Sequence, residues 1–172
     1  MRLTTAAIAL GLALLFVGKA DAKSYSVPAS KPLASLTIAD DWQTNNSDPD
    51  GVVTLSPDKS ILIAAGAAPA GDEDSVVRGL VELIGQNGFE ADDSSKKAVP
   101  SDDNIDGNHA KISTLTYLGK DEKGSASVTI TSYIFDKRPD QVFVTGLLVG
   151  STVSGPAGDA AHTIMQSLHF TP

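Results

Sequence analysis

The chain has 172 residues, no cysteine, and 13 basic against 21 acidic side chains, for a net charge of −8. Without thiols it offers no disulfide, thiolate nucleophile, iron–sulfur cluster or cysteine-bound zinc. Its acidity repels phosphate backbones and anionic headgroups, so nucleic acid is not an expected partner.

Residues 1–22 read as a segment removed before folding. Arg2 precedes the apolar run AAIALGLALLFVG, and Ala20-Asp21-Ala22 places small residues around a cleavage point. The run is too short to span a ~30 Å hydrocarbon core comfortably. A signal peptide cleaved after Ala22 is expected, giving a periplasmic or secreted product with no membrane insertion afterwards. Residues 23–32, KSYSVPASKP, read as a flexible N-terminal tether because of their prolines and serines. Residues 33–172 are the size of one domain.

Within that domain, ASLTI sets Ala34, Leu36 and Ile38 on one side at period two and predicts a half-buried strand ending at Asp40-Asp41-Trp42. NNSDPDG (45–51) is a turn cluster, with Pro49 fixing φ and Gly51 free to take positive φ. GVVTL and SILIAAGAA then pair across SPDK (56–59) as a hairpin. GDEDSVVRGLVELIGQNG (71–88) predicts a helix with an apolar stripe of Val76, Val77, Leu80, Val81 and Ile84. Asp72, Glu73 and Asp74 crowd its start, where carboxylates cap N–H groups and oppose the macrodipole. Asn87-Gly88 supplies a left-handed stop.

FEADDSSKKAVPSDDNIDG (89–107) lacks apolar periodicity and reads as a long polar connection, of the kind that is functional or mobile. HAKISTLTYLG, SASVTITSYIF and QVFVTGLLVG, joined by KDEKG and DKRPD, predict a three-strand meander. In the middle strand Val128, Ile130 and Ile134 oppose Thr129, Thr131, Tyr133 and Phe135. The last strand is apolar on both faces, which places it centrally. SGPAGDAAHTIMQSLHF closes the chain as a second helix, with Pro156 in its first turn and Ala160, Ala161, Ile164, Met165 and Leu168 buried. This order predicts an α+β fold: a largely antiparallel sheet of about six strands covered by two helices in a layered sandwich.

Few residues suggest chemistry. In SDDNIDGNHAKI (101–112), Asp102, Asn104, Asp106 and Gly107 match the start of a calcium loop. Position nine of that loop is Ala110, however, and position twelve is Ser113 where a bidentate Glu should stand. An Asp-Gly turn feeding a strand is the better account, with weak calcium binding as the alternative. Asp48-Pro49-Asp50-Gly51 is a shorter form of the same signal and reads as a turn. Gly150 to Gly155 has phosphate-loop spacing, but Pro156 and Ala157 replace the required Lys and hydroxyl, leaving a flexible connection. His162 and His169, two turns apart on one helix, cannot share a metal directly. His109 and Asp106 could form a base and its orienter. No metal ligand set, cofactor site or catalytic motif is expected.

LTIADDW (36–42), IDGNHA (105–110) and IMQSLHF (164–170) together resemble the PsbP-like domains, α/β/α sandwiches of the Mog/PsbP type, over about residues 33–170. Photosystem members of that family are extrinsic subunits assisting manganese–calcium chemistry, and other members are binding adaptors. The resemblance implies an accessory, non-catalytic class acting by surface recognition. The expected function is an exported binding or adaptor domain with an unidentified protein partner or small ligand. The alternatives are a small-ligand carrier with its pocket between sheet and helix, and an envelope hydrolase using His109, Asp106 and Ser101.

Overall fold

The computed structural model describes residues 21–171; the apolar run of the expected signal peptide lies outside them. The chain begins with β1 (Ala22–Val27) and β2 (Ala34–Ala39), followed by β3 (Gln43–Asn45), β4 (Gly51–Leu55) and β5 (Ile61–Pro69). Helix α1 (Glu73–Gln86) leads to β6 (Glu90–Ala91), a 3-10 turn at Asp93–Ser95, and β7 (Lys97–Ile105). The meander is β8 (Asn108–Asp121), β9 (Gly124–Phe135) and β10 (Gln141–Val149), and α2 (Gly155–Gln166) precedes β11 (His169–Phe170).

Two helices and mostly antiparallel strands make this an α+β fold, but the sheet is larger than the expected six strands. Eight strands run in the order β3-β4-β5-β10-β9-β8, with β6 and β7 both paired to the outer side of β8. A separate three-stranded sheet has the order β1-β2-β11. β10 is central, as its apolar character on both faces requires, and every residue from Val142 to Gly146 is buried.

The alternation read from β9 holds. Val128 and Ile130 join Leu62, Val142, Val144 and Ile84 in a cluster on the α1 side. Phe135 joins Phe143, Ile61, Ile63 and Phe170 on the opposite side, under α2 and the small sheet. Trp42, 4% exposed, belongs to that second cluster. The α1 stop is as expected: Gly88 takes φ +85°, and the Asn87 and Gly88 N–H groups donate to Ile84 and Gly85 carbonyls. The start is not, because Asp72 makes no side-chain cap; Glu73 and Asp74 act only on the helix dipole.

Three further expectations are corrected. The 23–32 tether is strand from Ala22 to Val27, paired residue for residue with Ala39 to Ala34. The polar connection 89–107 holds two strands, and β7 pairs with β8 along its whole length. The second helix stops at Gln166, where the Ser167 hydroxyl takes the Ile164 carbonyl at 2.6 Å and also donates toward the Thr37 carbonyl at 3.3 Å. The chain then turns back, so His169 and Phe170 extend the small sheet beside Ser35 and Ala34.

Candidate functional site

The calcium-like motif folds as a β-hairpin. Ile105 pairs with Asn108, leaving Asp106 and Gly107 as a two-residue turn at φ 53° and 77°. Positive φ at both positions is the type I′ turn that Asp-Gly favours. Asp102 and Asn104 lie two residues apart along an extended strand, roughly 7 Å, and do not curl around a common centre. The Asp106 carboxylate instead accepts the Phe170 N–H at 2.8 Å and meets His169 Nδ1 at 3.1 Å. It ties the hairpin to β11. Among the described residues no three ligating groups converge.

The histidines follow the same logic. His109 Nδ1 sits 3.0 Å from Asp136 Oδ2, at the exposed mouth of the β9–β10 connection. Its expected partner Asp106 is engaged by His169, which stands on β11 and not on the helix with His162. Ser101 lies on the exposed edge strand opposite Ile112. His109 and Asp106 of the hydrolase reading therefore meet separate partners, and Ser101 sits in register with Ile112 rather than with His109.

The phosphate-loop lookalike is pinned, not flexible. Ser151 donates both its N–H, at 2.9 Å, and its hydroxyl, at 2.8 Å, to the Asp121 carboxylate, which also accepts the Lys123 and Gly124 N–H groups. Ser154 caps α2 by accepting the Ala157 N–H and donates to Asp58, which further accepts the Ser60 and Ser56 hydroxyls. A phosphate here would meet carboxylates on the donors it needs.

These bonds favour the ionised acids. The Ser60 and Ser56 hydroxyls hold the Asp58 carboxyl well below the usual range, and the Ser151 N–H and hydroxyl lower Asp121 to about 2. A carboxyl whose folded pKa is depressed stabilises the fold above its unfolded pKa, and that contribution disappears as pH falls through the folded one. Stability should therefore hold at pH 5 and decline between about 3.8 and about 2. Asp121→Asn should flatten the decline in urea titrations across that window; an unchanged pH profile would discount the pinning.

Two surfaces remain that could bind something. The first is the α2-side face of β7, β8 and β9 beyond Ile112 and Tyr133, where the packing against α2 and the small sheet ends. Thr114 and Thr116 stand in register with Thr131 and Thr129, all half-buried, and Thr114 Oγ1 lies 3.5 Å from Thr131 Oγ1. Leu118, 58% exposed, and Val99, 46% exposed, share this face. A trough of about 330 Å³ beside α2 continues it, walled by Leu147, Val149, Val153 and Met165. The pairing of Leu147 with Thr129 and Val149 with Ser127 makes trough and face contiguous.

The second surface lies under α1. The helix rests on β5 and β10, with Leu80 over Gly146, yet only Ile84 of the helix is fully buried. Toward β4 it leaves a cleft of about 310 Å³ with Val53, Ala64 and Gly66 as floor and Val76, Gly79 and Leu80 as roof. The sequence marked this helix and these strands but not the space between them. Neither Gly79, an exposed helix position, nor Gly66 within AAGAA signals it, although both line it.

Fold and surfaces define a two-helix, mostly antiparallel α+β protein with an open sheet face and a cleft under one helix. No helix among the described residues is long and apolar enough to cross a membrane. No family model matches the chain, and no curated protein matches it. Among solved structures it is similar to LpqN of Mycobacterium tuberculosis, described as involved in cell envelope biogenesis, at 19% identity and a TM-score of 0.45. That match covers 88% of this chain and 92% of LpqN. It is also similar to PA94 of Pseudomonas aeruginosa, a protein of unknown function, at 22% identity and a TM-score of 0.37, covering 88% and 98%. At these identities and scores neither likeness carries an argument about function.

Proposed function

We propose that the chain is an exported, non-catalytic binding or adaptor protein of PsbP-like type, acting in the periplasm or outside the cell. Its partner is a protein that docks on the uncovered face of β7, β8 and β9. One observation carries this reading: Val99 and Leu118, the exposed large hydrophobics among the described residues, fall on one face, and that face runs on into an apolar trough. Exposed apolar side chains gathered on one side of a sheet beside an apolar hollow support an interaction surface.

The adjacent sheet edge is guarded, so the face and not the edge is the interface. In a two-residue hairpin the flanking pair is hydrogen-bonded, which turns the backbones of Asn104, Asp102 and Pro100 outward. The Asn104 N–H is already taken by the Asp103 carboxylate at 2.7 Å, and Pro100 has no N–H to give. An added strand would find few donors. The catalytic alternative finds no support in the separated positions of Ser101, His109 and Asp106.

The chain isolated from an envelope fraction should carry a stoichiometric protein partner, and Leu118→Lys with Val99→Lys should release it. Such exposed substitutions typically change stability by no more than ~0.5 kcal/mol, which thermal unfolding would check. Retention of the partner by the folded variant, or recovery of the wild type as a lone monomer, would overturn the reading.

A further inference from the structure

We propose that the cleft under α1 binds a small cationic amphiphile, with its apolar chain between α1 and the β4–β5 floor and its ammonium head at Asp48 and Asp50. The site is separate from the β7–β9 face and does not depend on it.

The cleft is at the small end of ligand pockets and apolar within. Gly66 and Gly79 line it. A Cβ at Gly79, an exposed position, would meet nothing within 4 Å, and one at Gly66 would meet only the Asp50 carbonyl oxygen, at 3.7 Å. Neither residue is among the glycines at positive φ, so larger side chains fit the backbone at both and have space to extend over the cleft.

The mouth supplies the charge. Asp48 Oδ1 accepts the Asp50 N–H at 2.9 Å, which fixes the turn, and both residues line the cleft. Neither carboxylate meets a side-chain cation within 4.0 Å among the described residues; the ion pairs there are His109–Asp136 and His169–Asp106. Lys23 lines a shallow depression that also involves Asp48, but its Nζ sits 5.3 Å over the Tyr25 ring. An anionic head would face two carboxylates and a net charge of −8. A cationic head is the complement, and an apolar tail is what the walls accept.

Dodecyltrimethylammonium, dodecyl sulfate and tetramethylammonium, each below any micelle concentration, test this by calorimetry on the full chain. Dodecyltrimethylammonium should bind one to one and at least tenfold tighter than the sulfate, and the bare head should not saturate. Gly79→Leu, alone and with Gly66→Val, should weaken binding at least tenfold in a protein that unfolds at the wild-type temperature or above. Asp48→Asn with Asp50→Asn should abolish the preference for ammonium over sulfate, whereas Asp102→Asn with Asp103→Asn should not. Leu118→Lys should bind the probe as wild type does, which separates this site from partner docking. Absence of saturable binding, equal affinity for the sulfate, or undiminished binding by folded Gly79→Leu would overturn the proposal.

Discussion

Replacing Phe170 with alanine should destabilise the protein by ~3–5 kcal/mol, the range for deleting a buried aromatic side chain. Phe170 is 4% exposed and sits where both sheets meet. Its ring centroid lies 4.9 Å from Tyr133, 5.0 Å from Phe135 and 5.4 Å from Phe143, the last edge-on. Each such pair adds about 0.5–1.5 kcal/mol beyond area burial. Its backbone pairs with Ala34 and donates to Asp106, so the emptied site can collapse only by moving β11. For a domain of this size each kcal/mol lowers Tm by about 2–4 °C, which makes the expected drop roughly 10 °C. Phe170→Leu should recover part of it. A loss under about 1 kcal/mol in urea unfolding would show that the C-terminal strand contributes little to the core.

Gly119→Val should cost about 3 kcal/mol, at the upper end of typical overpacking penalties. Gly119 lies on β8 opposite Ala91, where β6 crosses. A Cβ there would collide with the Glu90 carbonyl oxygen and lie 2.7 Å from Cζ of the buried Phe89 ring. Neither neighbour can move cheaply, because one is backbone in a strand pair and the other is wedged into the α1-side cluster. The expected result is loss of the β6 pairing and accelerated amide exchange at residues 89–92, with β9 and β10 still protected. Wild-type stability and exchange in the variant would contradict the close approach.

What could be read in the sequence was whatever buries a pattern. The α1 stripe, the alternation of β9 and the doubly apolar β10 each meet a packed neighbour, so their hydrophobic periods are enforced by the core. β7 was missed for the converse reason. From Lys97 to Asn104 every residue is exposed, so nothing selects an apolar period, and backbone pairing to β8 alone makes it a strand. β1 is nearly as exposed, with only Val27 buried. β11 is two residues long, below what any period can show. The site residues divide in the same way. Asp106-Gly107 was legible as a turn because φ preference is local, whereas its pairing with His169 joins residues 63 positions apart and depends on the reversal after α2. The cleft under α1 lies between a helix and the β4–β5 pair, a relation that neither segment expresses alone.

The position of β2 between β1 and β11 has a consequence for folding. Ala34 and Ser35 find their second neighbour only in Phe170 and His169, about 135 positions further along the chain. Until that strand docks, the aromatic cluster lacks the Phe170 ring. Closure of the small sheet is therefore a long-range step, and such pairings form late because the entropy of closing the loop must be met before the contact rewards it.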